Sequence, residues 1–215
     1  MPVTALALYL VFAALGFGWR SWSQHRRTGS TGFRGVSGRP GSLEWWAGVG
    51  FVGAILAAVA APLLQLGGFL TPIPVLHTPA VQATGLLAAI AGVAGTLYAQ
   101  HGMGESWRIG VDPGETTALV RTGVFGWVRN PIFAAMLVFA AGIALMTPNP
   151  LALTAFVVLL AAIELQVRVV EEPYLARIHG HAYIDYRDRV GRFVPGIGRS
   201  WTLPPKTGER YDADR

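Results

Sequence analysis

Apolar residues along this chain arrive in long unbroken runs, without the short period of a strand or the narrow stripe of a soluble amphipathic helix. Three stretches contain no Asp, Glu, Lys or Arg: Met1–Trp19, Trp45–Gly104 and Asn130–Ile163. A helix needs roughly 20 mostly apolar residues to cross about 30 Å of hydrocarbon, so the first stretch predicts one span. The second is long enough for two, with a break at Gly67, Gly68, Pro72, Pro74 and Pro79. The third is divided by Thr147-Pro148-Asn149-Pro150, a turn sequence between apolar runs. Each of its halves is about 17 residues, or about 25 Å of helix, just enough to span. The pattern predicts an all-α integral membrane protein of about five transmembrane helices, ending in a helical hairpin and a cytoplasmic tail.

The same pattern divides the chain into an N-terminal membrane helix (1–19), a basic Arg-, Ser-, Gly- and Pro-rich linker (20–44), a main membrane domain (45–199) and a polar tail (200–215). Met1–Trp19 has no basic start and no small-residue cleavage site, and reads as a retained anchor rather than a signal peptide. No internal repeat is evident.

Composition sharpens this picture. Charged residues make up 13% of the 215 positions, about half the share in soluble domains. There is too little charge for disorder. The absence of Cys excludes a disulfide scaffold, a thiolate zinc site and a thiol nucleophile. The formal charge of +5 raises the question of nucleic acid, and charge placement answers it. With five spans, all 17 Lys and Arg fall on one side, in 20–44, 105–129 and 168–215. The positive-inside rule makes that side cytoplasmic and the N-terminus external. Anionic headgroups account for the basic excess, and no nucleic-acid partner is needed. The Arg, Ala and Gly richness suggests a bacterial plasma membrane.

Several signals have ordinary explanations. Gly48-Val49-Gly50-Phe51-Val52-Gly53 matches G-x-G-x-x-G but lies inside an apolar run, where close helix packing explains it. Gly85, Ala88, Ala89 and Gly92 form a similar small face. His77 stands alone near an outer turn, and His179 and His181 lack a third ligand nearby, so no metal site is expected.

Polar residues at membrane depth are costly and mark candidate function. One such cluster, Arg121-Thr122-Gly123-Val124-Phe125-Gly126-Trp127-Val128-Arg129-Asn130-Pro131-Ile132-Phe133, enters the fourth helix. Its glycines permit unusual backbone geometry. Pro131 suits a first helical turn, with Asn130 as its cap. The second cluster leaves the fifth helix: Glu164, Arg168, Glu171, Glu172 and Leu175, spaced to share one helical face. Glu164 lies in an apolar run and needs a partner, for which Arg168, four residues on, is the natural candidate. An ion-paired helix end at headgroup level is the plainest account of this second cluster.

Taken together, Gly123-x-Phe125-x-x-x-Arg129-Asn130-Pro131-x-Phe133, then Glu171-Glu172-x-x-Leu175, then Gly180-x-x-Tyr183-x-x-Tyr186 and Pro195 resemble the isoprenylcysteine carboxyl methyltransferase family. The wider group includes the phospholipid N-methyltransferases. The resemblance covers roughly residues 100–198. It implies a membrane enzyme using S-adenosylmethionine, with S-adenosylhomocysteine as product and a cofactor pocket on the cytoplasmic side. By that resemblance Val120, Gly123, Val124 and Phe125 line the cofactor. Arg129, Asn130 and Pro131, with Phe133, hold its methionine end, and Tyr183 and Tyr186 shape the pocket. By the same resemblance Glu171 and Glu172 bind the cofactor or orient the substrate; read as residues, they and Arg168 are the catalytic candidates, and Arg108 and Glu164 the substrate-binding ones. Two positions depart from the family pattern: Asn130 stands for its His and Phe133 for its Tyr. Asn keeps hydrogen bonding but cannot act as a base, and Phe133 lacks the hydroxyl.

A carboxylate acceptor needs no general base, only orientation and water exclusion, and Arg108 or Arg168 has the fork geometry to hold it. An amine acceptor needs deprotonation, for which Glu171 or Glu172 is the candidate. The leading expectation is carboxyl O-methylation of a lipophilic isoprenoid-type or isoprenylcysteine-like acid at the membrane interface. N-methylation of a phospholipid amine is second, followed by a non-catalytic scaffold that kept the fold. A lipid reductase would need a nicotinamide site, for which only the Gly48–Gly53 string speaks.

Overall fold

Three helix starts are written in capping side chains. Ser42 Oγ accepts from the Trp45 amide (3.2 Å), Thr78 Oγ1 from Val81 (3.3 Å) and Asn149 Oδ1 from Ala152 (2.9 Å). Pro79 and Pro150 follow two of these caps at the first helical position, where a missing N–H costs nothing. In the computed structural model, which describes residues 1–31, 35–36, 38–104 and 118–199, six helices follow. They are α1 (Pro2–Thr28), α2 (Leu43–Leu66), α3 (Pro79–Met103), α4 (Pro131–Met146), α5 (Pro150–His179) and the short α6 (His181–Arg189). Among the described residues there is no strand, only one isolated bridge.

The protein is an all-α integral membrane protein. Helices α1, α2, α3 and α5 are long and apolar enough to cross a membrane. The remaining predicted span, α4, has 16 residues, about 24 Å of helix.

One boundary differs from the sequence pattern. The first helix does not stop at Trp19. It runs on to Thr28 and ends at Gly29, whose φ of 74° gives a left-handed cap. Arg20–Thr28 contains neither Gly nor Pro, so nothing local breaks the helix where the charge begins. Within α1, residues Ala13–Trp19 form a π-helical segment, and a second π segment, Gln166–Glu171, interrupts α5.

Two helix pairs carry the packing. Between α3 and α4 the backbones touch: a Cβ at Gly85 would come within 2.7 Å of the Gly142 carbonyl oxygen, and one at Gly92 would fall on the Phe139 backbone. Only glycine allows that approach. Between α2 and α5, Ala54 packs with Leu159 and Ile163, and a Cβ at Gly50 would sit 3.5 Å from Ala162. Thus Gly50 follows the packing account of the glycine string, whereas Gly48 packs on Val36 of the preceding segment and Gly53 meets nothing nearby. At the opposite end from the basic flanks, Asn149 Nδ2 donates to the Ala61 carbonyl and to Gln65 Oε1, tying the hairpin turn to α2. Helix α1 closes the side, stacking Phe12 on Phe139 with ring centres 4.3 Å apart.

Candidate functional site

After α6 the chain turns back and lies beside the segment that enters α4. The Arg129 and Asn130 amides donate to the carbonyls of Gly191 (2.8 Å) and Arg192 (3.0 Å). This pairing sets the geometry of the Arg-Asn-Pro segment. Asn130 occupies the cap position of α4, but its side chain does not cap the helix. Its Nδ2 donates instead to the Arg192 carbonyl (3.2 Å). The expectation of an Asn130 cap is corrected: the backbone pairing with 191–192 directs the amide toward a carbonyl, where it serves as a donor.

Arg129 is buried and heavily bonded. Its Nη1 donates to the carbonyls of Arg187 (2.8 Å) and Val190, and its Nη2 to Glu172 Oε1 (2.8 Å) and the Gly198 carbonyl (3.1 Å). Arg192 grips the same carboxylate through both oxygens, Nε to Oε1 at 2.8 Å and Nη2 to Oε2 at 3.0 Å. Glu172 is therefore held between two guanidinium groups, one of them bidentate. This arrangement joins α5, the start of α4 and the C-terminal turn. The carboxylate in turn keeps the Arg192 guanidinium protonated beyond its ordinary range.

A cavity of about 620 Å³ lies beside this clamp, within the size range of small-molecule sites. At its polar end stand Val120, Phe125, Arg129, Asn130, Glu171, Tyr183 and Tyr186; Pro131 and Phe133 continue the wall. Its apolar end runs between Tyr9, Phe12 and Phe17 of α1, Phe51, Ile55 and Ala58 of α2, Met136, Phe139 and Ala140 of α4 and Leu159 of α5. Tyr186 is fixed by donating its hydroxyl to the Phe125 carbonyl (2.6 Å). Burial pushes that hydroxyl up to about 12, and burial followed by the Glu172 charge raises Tyr183 as well. Both phenols are neutral at physiological pH.

Nine residues expected at a cofactor or catalytic site therefore share one cavity wall. Others lie elsewhere. Gly123 (φ 61°) and Val124 form the short 3-10 turn Gly123–Gly126 leading to Phe125, outside the cavity wall. Glu172 stands behind Arg129. Glu164 and Arg168 do pair with each other as expected, Arg168 Nε to Glu164 Oε2 at 2.5 Å, with Arg192 Nη1 3.7 Å from the same oxygen. Their side chains are 34% and 58% exposed, and neither lines the cavity. Arg108 lies outside the described residues.

The π segment explains the split between adjacent glutamates. Gln166 and Glu171 both line the cavity although five residues apart. In a regular α-helix they would point about 140° apart, whereas a π turn closes over five residues. The residues that spacing arguments missed are Gln100 and Met103 on α3, Gln166 and Tyr174 on α5, Arg192, and the α1 wall. Gln100 left a signal, a buried amide inside a charge-free block. Arg192 and the α1 aromatics left none.

Residues 81–182 of this all-α membrane bundle match the family model described as PEMT, phospholipid methyltransferase. That stretch, just under half of the chain, contains the Arg129-Asn130-Pro131 and Glu171-Glu172 motifs and is what the chain shares with this family model. It is 32% identical over 124 residues to the protein-S-isoprenylcysteine O-methyltransferase of Saccharomyces cerevisiae, covering 57% of this chain and 52% of that one. It is also 32% identical over 79 residues to protein-S-isoprenylcysteine O-methyltransferase B of Arabidopsis thaliana, covering 37% of this chain and 40% of the relative. The chain spans about half the length of these curated relatives or less.

Proposed function

We propose that this protein is an S-adenosylmethionine-dependent membrane methyltransferase that esterifies the carboxylate of a lipophilic acceptor, an isoprenoid-type or isoprenylcysteine-like acid. The observation that carries this reading is one continuous cavity with a polar, arginine-bearing end and an apolar end between membrane helices. A water-soluble cofactor and a lipid tail need those two environments side by side. The names of the relatives support the carboxylate as acceptor.

The donor set fits the cofactor. Arg129 Nε is buried at the cavity wall without a protein partner among the described residues, a cation suited to the methionine carboxylate. Val120, Phe125, Pro131 and Phe133 offer apolar and backbone surface for the rest, with Tyr183 and Tyr186 beneath. Bound there, S-adenosylmethionine would supply an electrophilic methyl group. The protein's own part is to hold the acceptor carboxylate in line and keep water out. We assign Glu172 to positioning, since it fixes Arg129 and Arg192, and Glu171 to the cavity itself. Glu164 and Arg168 would face the interface, where a substrate headgroup arrives, and Arg108 is a substrate candidate on its residue type alone. The charge map supports a cytoplasmic site and an external N-terminus in a bacterial plasma membrane.

N-methylation of a phospholipid amine is the second reading, favoured by Glu171 as a carboxylate base on the cavity wall and by the family description. The test is calorimetric titration of the detergent-purified chain with S-adenosylhomocysteine. Labelled methyl transfer to N-acetyl-S-farnesylcysteine and to phosphatidylethanolamine vesicles follows. Micromolar binding with ester formation on the first acceptor supports the proposal. Methylation of the vesicles alone transfers it to the second reading, and no binding by folded protein leaves the scaffold reading.

A further inference from the structure

Gln100 sits in the last turn of α3, 4% exposed, and lines the 620 Å³ cavity. Its amide is only half used. Nε2 donates to the Gly16 carbonyl at 2.9 Å, an oxygen within the π segment of α1. That bond fixes which end of the amide is nitrogen, because a carbonyl can only accept. Oε1 is then the acceptor left over, buried and without a protein partner among the described residues. A buried amide oxygen with no donor costs more than an ordinary hydrogen bond returns, so such atoms are rare unless something else satisfies them. Phe17, Ser21 and Met103, close to Gly16 or Gln100 in sequence, line the same cavity, and Arg20 donates to the Gly104 carbonyl at the end of α3.

We infer that Gln100 is a further ligand-binding residue of this cavity, its Oε1 accepting a hydrogen bond from an N–H or O–H of the bound cofactor or acceptor. The inference rests on the methyltransferase reading above. It adds a contact from outside the Arg-Asn-Pro and Glu-Glu motifs and makes α1, through Gly16, the support that orients it. Arg129 presents a buried donor and Gln100 a buried acceptor to the same cavity, a pair complementary to a ligand carrying both a carboxylate and an N–H or O–H group.

Two near-isosteric variants of the full chain separate ligand binding from support. Gln100→Met removes both amide functions. Gln100→Glu keeps an acceptor oxygen and, once ionised, removes the donor to Gly16. Both are expected to lower thermal stability. Only Gln100→Met is expected to weaken S-adenosylhomocysteine, by about tenfold in Kd, if the donor belongs to the cofactor. If it belongs to the acceptor, Kd stays unchanged and KM for N-acetyl-S-farnesylcysteine rises about tenfold in Gln100→Met and not in Gln100→Glu. Equal weakening in both variants, in step with their loss of stability, would reduce Gln100 to a structural tie and overturn the inference. Unchanged Kd and KM in Gln100→Met, with normal wild-type binding, overturns it while the methyltransferase reading stands. Wild type that binds no S-adenosylhomocysteine brings down that reading and this inference together. Should Gln100→Met not fold, the Gln100 side-chain amide resonance, assigned by its loss in Gln100→Glu, gives the answer: a shift on adding S-adenosylhomocysteine or N-acetyl-S-farnesylcysteine supports the contact, and no shift with either rejects it.

Discussion

Helix α5 carries two ion-paired clusters that look alike in sequence and differ in depth. Glu164 meets Arg168 at 2.5 Å with side chains 34% and 58% exposed. Glu172 meets Arg129 and Arg192 at 2.8 Å each, with Arg129 at 2% and Glu172 at 15%. The outer pair sits in water or headgroups, where screening and side-chain entropy cancel most of the attraction. In the inner cluster each charge has lost its solvent and depends on its partner, so removal of one strands another. The inner cluster also joins three segments distant in sequence, whereas the outer pair mostly links one turn of a helix to the next.

The largest expected effect is therefore at Glu172. Glu172→Ala takes the shared carboxylate from two guanidinium groups, leaving Arg192 with Glu164 at 3.7 Å, and should cost about 3–5 kcal/mol. Denaturant or thermal unfolding in detergent measures this, and S-adenosylhomocysteine binding should fall with it. A loss under 1 kcal/mol would mean that the carbonyls around Arg129 suffice to hold it. Arg192→Met should cost less, about 1–3 kcal/mol, because Glu172 keeps Arg129; the same unfolding assay ranks the two.

Tyr186→Phe comes next. It removes the 2.6 Å bond to the Phe125 carbonyl, worth about 1 kcal/mol. It also removes a pH dependence. Burial raises this hydroxyl from 10.0 to about 12, so the folded state favours the protonated form. Its contribution is full below pH 10 and is lost as pH rises from 10 through 12. The wild type should lose stability over that window more steeply than Tyr186→Phe, as unfolding midpoints at successive pH values would reveal. Parallel curves would mean that Tyr186 titrates freely in the fold.

The smallest effect belongs to the outer pair. Arg168→Ala should change stability by no more than about 0.5 kcal/mol and leave S-adenosylhomocysteine affinity unchanged. A tenfold loss of affinity would show that Arg168 reaches the ligand, and would erase the distinction between the clusters.

Much of the site was legible because its motifs are local. Arg129-Asn130-Pro131 begins α4 where Pro131 fits a first turn, and Tyr183 and Tyr186 share the inner face of α6. Glu171 and Glu172 could not be told apart by spacing, because a helical wheel assumes a regular turn and the π segment Gln166–Glu171 breaks it. Asn130 reads as a cap until the backbone of 191–192 arrives beside it. The α1 wall was invisible for another reason: Tyr9, Phe12 and Phe17 are apolar residues in an apolar helix, and nothing local distinguishes a face turned to lipid from one turned to a cavity.

The sequence by itself determined the membrane class, the order of apolar helices, the clustering of basic residues in the flanks and the likeness of residues 81–182 to the phospholipid methyltransferase family model. Each of these is a sum or a spacing over neighbouring residues, and transfer energies add along the chain. Tertiary structure alone decided which glutamate is clamped and which lines the cavity, that Arg192 completes the clamp, and that Gln100 faces α1 with one amide end unused. Those outcomes depend on helix register and on segments far apart in sequence meeting in the bundle, where a shift of one residue in a turn redirects every side chain beyond it.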